Sequence, residues 1–163
     1  MWPNSKARQV HLSWLPGYSG QAPPPHAVQA EPGIYVIRGR TNDDVIPGKW
    51  LIKLGKAFIS YDCKEIELNN FEVLCNTNLK ANQCFYSWLP SSAGNVPEKA
   101  LQAGETSSSE PLFVARGMVN GEMCIGKVHP SHGCAYFPWG GDEHAVQHYE
   151  VCVFQINLFM VPW

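Results

Sequence analysis

Short apolar runs broken by Gly, Pro or Asn recur along the whole chain, and no segment holds a helical period over three turns. Runs rich in aromatic and β-branched residues and bounded by turn formers read as strands, because such side chains suit a pleated, half-buried surface. The pattern predicts strands at Ile34–Arg38, Lys56–Tyr61 and Phe71–Cys75, and again at Leu112–Arg116, Cys134–Phe137 and Tyr149–Phe154. At the end of the chain, Phe154, Ile156, Leu158, Met160 and Trp163 fall at or near alternate positions, which predicts an added edge strand with one apolar face.

The strand signals recur because the sequence recurs. Shifted by 78 residues, 34–75 lies over 112–153 without a gap. Arg38, Gly39, Asn42, Gly48 and Lys49 then meet Arg116, Gly117, Asn120, Gly126 and Lys127; further on, Gly55, Glu65 and Glu72 meet Gly133, Glu143 and Glu150. Upstream, WLPGYSG (14–20) matches WLPSSAG (88–94) and AVQA (27–30) matches ALQA (100–103), so the first copy lacks a few residues before Ile34. A fixed internal period is read before anything else, since it dictates the architecture. The division is an N-terminal extension 1–13, a first repeat 14–75, a linker 76–87, a second repeat 88–152 and an apolar tail 153–163. Each unit alone would bury little surface. The expected fold is therefore all-β, with two tandem pseudo-symmetric antiparallel units packed as a β-sandwich-like domain around one core.

Composition narrows the function. Hydrophobic residues make up 45% and charged residues 16%, which excludes a disordered charged chain. The first 82 residues hold nine Lys/Arg against seven acids and the rest three against seven, with no basic run, so nucleic acid is not an expected partner. No secretory leader and no transmembrane segment is read. The expected location is cytoplasmic, or outside the cell by a route without a classical signal peptide. Six Cys then read as reduced thiols, with Cys75 and Cys84 the pair best placed to bridge if oxidised.

The second copy carries WLPSSAGNVPEKALQAG (88–104), LFVARG (112–117), IGKVHPSHGCAYFPWGGDEH (125–144) and YEVC (149–152); the first copy is looser, with VIPGKW (45–50) and NNFEVLC (69–75) best preserved. In these motifs the chain resembles the DM-nine repeat family, found in insect midgut and salivary proteins, molluscan mannose-binding lectins, flukes, and beside pore-forming domains in fish toxins. The resemblance implies a β-sandwich-like fold, a tendency to form a homodimer, and in lectin members a shallow sugar site in each repeat. That site uses the lysine of the PGK motif and an acidic residue 21 positions before it. Here the lysines are Lys49 and Lys127; the acidic position of the second copy falls on Thr106 in GETSSSE, beside Glu105, whereas the first copy has lost that turn and keeps only Glu31 nearby.

A Lys ammonium with three donors and a carboxylate with several lone pairs can together fix a vicinal diol. Glu122 and Asp44, each five residues before a lysine, either orient the ammonium or cap a turn, and Trp139 is a candidate stacking ring. Zinc needs convergent ligands, and His129, His132, Cys134, His144 and His148 offer no such set. Asp43–Asp44 and Asp142–Glu143 read as turn pairs, not glycosidase carboxylates. The expectation is a non-enzymatic, cofactor-free lectin-like protein for mannose-type glycans, in innate defence or at a gut surface; the alternative is a protein-interaction or scaffold module with degenerate sugar sites. Any sugar site is expected in the second copy, depending on Lys127 more than on Lys49.

Overall fold

The computed structural model describes residues 12–77 and 85–155. Cys84 and the predicted strand beyond Gln155 lie outside the described residues. In the first half the strands are β1 (Leu12–Tyr18), β2 (Gln29–Glu31), β3 (Ile34–Thr41), β4 (Asp44–Leu51), β5 (Lys56–Tyr61), β6 (Lys64–Leu68) and β7 (Asn70–Asn76). In the second they are β8 (Tyr86–Ser92), β9 (Gln102–Glu105), β10 (Pro111–Val119), β11 (Glu122–His129), β12 (Cys134–Trp139), β13 (Asp142–Val146) and β14 (His148–Phe154).

Every pairing is antiparallel, and the order of pairing recurs. β3 pairs β4, β4 pairs β5, β5 pairs β6 and β7 returns to pair β3 and β1; β10 to β14 and β8 repeat these contacts. Two-residue turns drive the hairpins. A type I′ turn needs positive φ at both central residues, and Asn42–Asp43 (45° and 67°) and Asn120–Gly121 (48° and 79°) supply it.

The expected sandwich is overturned. Sandwiched units would stack face to face, whereas these halves join edge to edge in one sheet. The hairpin β5–β6 meets β13 at Lys64↔Asp142, reinforced by Glu65 N–H to Gly141 O (3.0 Å) and Glu143 N–H to Cys63 O (3.1 Å). β9, already paired with β10, meets β4 at Val45↔Glu105. These two joints close β4-β5-β6-β13-β12-β11-β10-β9 into an eight-stranded barrel, with β1, β2, β3, β7, β8 and β14 outside the ring. Closure gives these strands a partner on each side, which two separate sheets would not.

The core has three parts. Ile37, Ile46, Trp50, Ile59 and Phe71 pack in the first half; Phe113, Val128, Phe137 and Val151 pack in the second. Val28, Val36 and Leu74 meet Leu101, Val114 and Ile125 in a cluster shared by both. β4 and β11 run through the middle and are buried almost throughout, so they do not alternate. Neighbouring backbones approach them so closely that a Cβ on Gly48 would sit 2.1 Å from Phe58 O, and one on Gly126 1.9 Å from Tyr136 O. Glycine next to each lysine is thus a packing requirement.

Candidate functional site

Both lysines of the repeated Gly-Lys pairs are buried, Lys49 at 3% and Lys127 at 5% exposure. A buried ammonium is tolerated only when paired and hydrogen-bonded. Each finds one partner in its own half and one in the other. Lys127 Nζ lies 3.1 Å from Glu143 in β13 and donates to Ser60 O in β5 at 2.8 Å. Lys49 Nζ lies 3.3 Å from Glu65 in β6 and donates to Pro138 O in β12. The lysines therefore stitch the two halves together across the ring.

Their remaining capacity differs. Lys49 Nζ also donates to Cys124 Sγ at 3.7 Å, so it makes two hydrogen bonds beside its ion pair. On Lys127 the Ser60 carbonyl accepts one hydrogen bond, while Glu143 balances the charge without accepting one from it. Around this ammonium sit the rings of Tyr136 and Tyr61, with centroids 5.5 and 5.9 Å away. Next to it opens a cleft of about 330 Å³, to which β4 and the β5–β6 turn contribute Asp44, Asp62 and Cys63. The cleft therefore exists only when both halves are present.

One wall is a histidine stack peculiar to the second half. His129 and His132 lie face to face at 3.6 Å, 14° from parallel. His129 Nε2 is 2.8 Å from Glu110, which also accepts from Ser131 Oγ at 2.9 Å, and His132 Nδ1 is 3.0 Å from the Tyr136 hydroxyl. Burial and the adjoining His132 push the His129 pKa below its usual value, outweighing the opposite pull of Glu110. Burial, foremost among several causes, pushes the Tyr136 pKa up to about 12, so this phenol is neutral and can donate.

The residues singled out by sequence are distributed over three places. Asp44 lines the Lys127 cleft rather than accompanying Lys49. It accepts from Ser107 N–H at 2.8 Å, so the GETSSSE turn reaches the cleft through Asp44. Thr106 is committed within that turn, its Oγ1 accepting from Glu110 N–H (3.1 Å) and lying 3.1 Å from Ser108 Oγ. Glu122 and Trp139 sit on the Lys49 side, where Trp139 Nε1 donates to Glu122 at 3.1 Å beside the Pro138 carbonyl. Glu105 lines a different cavity, with Trp14 and Arg38. The partners not anticipated are Glu143 and Glu65, Ser60, the two tyrosines and the histidine stack. Glu65 and Glu143 were legible in principle, since both recur 16 positions after their lysines.

Among the described residues, no group of three or more His, Cys, Asp or Glu side chains is placed to hold a metal ion. No helix among them is long and apolar enough to cross a membrane. The described thiols Cys63, Cys75, Cys124, Cys134 and Cys152 are all unbridged, and burial pushes the Cys75 pKa to about 11.

A family model described as the DM9 repeat matches residues 29–146. Two fish proteins from Thalassophryne nattereri are similar in sequence. Natterin-3 is 29% identical over 92 residues, which is 56% of this chain and 22% of that protein; Natterin-4 is 31% identical over 105 residues, 64% and 24%. The chain thus matches under a quarter of the length of either relative. In structure it is similar to the nematode sperm cell motility protein MFP2B, with a TM-score of 0.64 at 14% identity, covering 90% of this chain and 45% of that one. At that identity the likeness concerns the fold alone.

Proposed function

This chain belongs to the DM9-repeat family, and from that premise we propose that it is a non-catalytic, lectin-like protein that binds mannose-type glycans in the cleft beside Lys127. The observation that carries the reading is the arrangement around that ammonium. Among the described residues its one hydrogen bond goes to Ser60 O and its charge is paired with Glu143, which leaves donor capacity on a cleft that Asp44 lines and Tyr61 and Tyr136 wall. A hexose presents hydroxyls that donate to carboxylates and accept from ammonium and phenol, together with apolar C–H faces that rest on aromatic rings. Nothing in that recognition requires a strong nucleophile or a mobile proton, which suits binding rather than turnover. The two tandem copies known from mannose-binding members of the family fit the repeated Gly48-Lys49 and Gly126-Lys127 pairs, and innate defence or a gut surface is the setting this reading favours.

A second reading, a protein-interaction or scaffold module with degenerate sugar sites, is favoured by the internal ion pairing of both lysines. A glycan array separates the two. Signal on mannose-rich ligands, lost in the charge-neutral double variant Lys127→Met/Glu143→Gln, is the expected result. No signal from wild type on any mannose-rich ligand overturns the lectin reading in favour of the scaffold.

A further inference from the structure

A second cavity, of about 340 Å³, opens between β3, β4 and β9 and shares none of its lining with the Lys127 cleft. Its floor is Val45. Arg40 pairs with Val45 from β3 and Glu105 pairs with Val45 from β9, so all three side chains project to the same face. Neither Arg40 nor Glu105 makes a side-chain hydrogen bond or ion pair with another described residue, although both line the cavity. The other guanidinium there is engaged through all three of its nitrogens. Arg38 binds Glu72 through two nitrogens at 3.2 Å, donates to Ala103 O at 2.8 Å, and covers the Trp14 ring at 4.4 Å. It forms a fixed wall, leaving Arg40 as the available cation among the described lining residues.

We infer that this cavity is a distinct site for a monosaccharide unit bearing a carboxylate, held by Arg40 at one end and by Glu105 at the other. A free guanidinium presents a planar fork of donors that matches a carboxylate in bidentate fashion. A carboxylate such as Glu105 accepts from ring hydroxyls. The two stand two strand spacings apart, about 9–10 Å, which spans a pyranose ring with an exocyclic acid. At that separation, on an open surface, the repulsion between Glu105 and the ligand's own acid is largely screened at physiological salt.

The repeat supplies an internal control. In the other half Arg116 repeats the fixed wall, covering Trp88 at 4.7 Å and donating to Ala30 O. Met118 and Met123 there replace Arg40 and Val45, so the anion-binding group belongs to the first half alone. The site does not depend on the mannose reading, and either can fail without the other.

The test uses glucuronic acid as the probe and mannose as the neutral comparison, by ligand-observed NMR at physiological ionic strength on the whole chain. Three proteins are compared: wild type, Arg40→Met, and the Lys127→Met/Glu143→Gln double variant. Arg40 is exposed and takes the side chain of its repeat counterpart, so Arg40→Met should fold. Glucuronate binding is expected in wild type and in the double variant, and should weaken roughly tenfold or more in Arg40→Met with loss of the charged hydrogen bonds. Mannose binding should be unaffected by Arg40→Met. No glucuronate binding to wild type overturns the inference. So does glucuronate binding that survives Arg40→Met, or that is lost in the double variant instead, which would assign the carboxylate to Lys127.

Discussion

Replacing Lys127 by Met probes the feature on which both the barrel and its cleft depend. The ammonium is 6% and the Glu143 carboxylate 9% exposed in their side chains, 3.1 Å apart. Glu143 Oε2 is buried and takes no hydrogen bond, so the lysine charge is its compensation. Removing one partner of such a pair leaves an uncompensated buried charge, at about 3–5 kcal/mol. For a chain of this size each kcal/mol moves Tm by about 2–4 °C, so the single variant should melt roughly 6–20 °C below wild type. Adding Glu143→Gln removes the stranded charge while keeping an acceptor for Cys63 N–H, which approaches Glu143 at 3.3 Å. What then remains is mainly the Ser60 carbonyl without its donor, at about 1–3 kcal/mol. Thermal and urea unfolding of wild type, both single variants and the double variant give the coupling directly. A loss below about 1 kcal/mol in Lys127→Met, or a double variant no more stable than the single, would refute the argument, because the pair would then be solvated.

Two further predictions follow from neighbouring residues. Gly126→Ala would place a Cβ 1.9 Å from Tyr136 O and force β11 from β12, and a loss of about 3 kcal/mol or more is expected; a Tm within about 2 °C of wild type would contradict it. His129 has a lowered pKa, so below its ordinary value of about 6.5 the unfolded chain takes up a proton that the folded chain refuses. This contribution to stability is complete above about pH 6.5 and is lost as pH falls from there toward the folded pKa; urea midpoints between pH 7.5 and 5 should drop less in His129→Leu, the residue found at the equivalent Leu51.

The strands around β3, β5, β7 and their counterparts were legible because their apolar runs are short and bounded by turn formers. β4 and β11 were not, since VIPGKW and CIGKV mix Pro, Gly and Lys into strands buried on both faces, where alternation disappears. Barrel against sandwich was beyond the pattern as well. It rests on Lys64↔Asp142 and Val45↔Glu105, contacts between polar turn and strand ends that carry no periodic signal. The lysines were found through the repeat. The repeat points to residues before each lysine within one copy, whereas the ring supplies Ser60 to Lys127, and Asp44 to its cleft, from the other half. Because Asp44 and Glu122 match in the alignment, sequence alone paired each with the lysine nearest along the chain; closure exchanges them.

The central claim is that the sugar site is shared between the halves, and a mannose titration followed by two-dimensional 15N NMR of the wild-type chain tests it most directly. Saturable shifts should appear together at the amides of Asp44 and Tyr61–Cys63 from the first half and of Lys127, His129 and Tyr136 from the second, all of which line one cleft. Shifts confined to a single half, clustered around Lys49 and Trp139, or absent at millimolar mannose would contradict it.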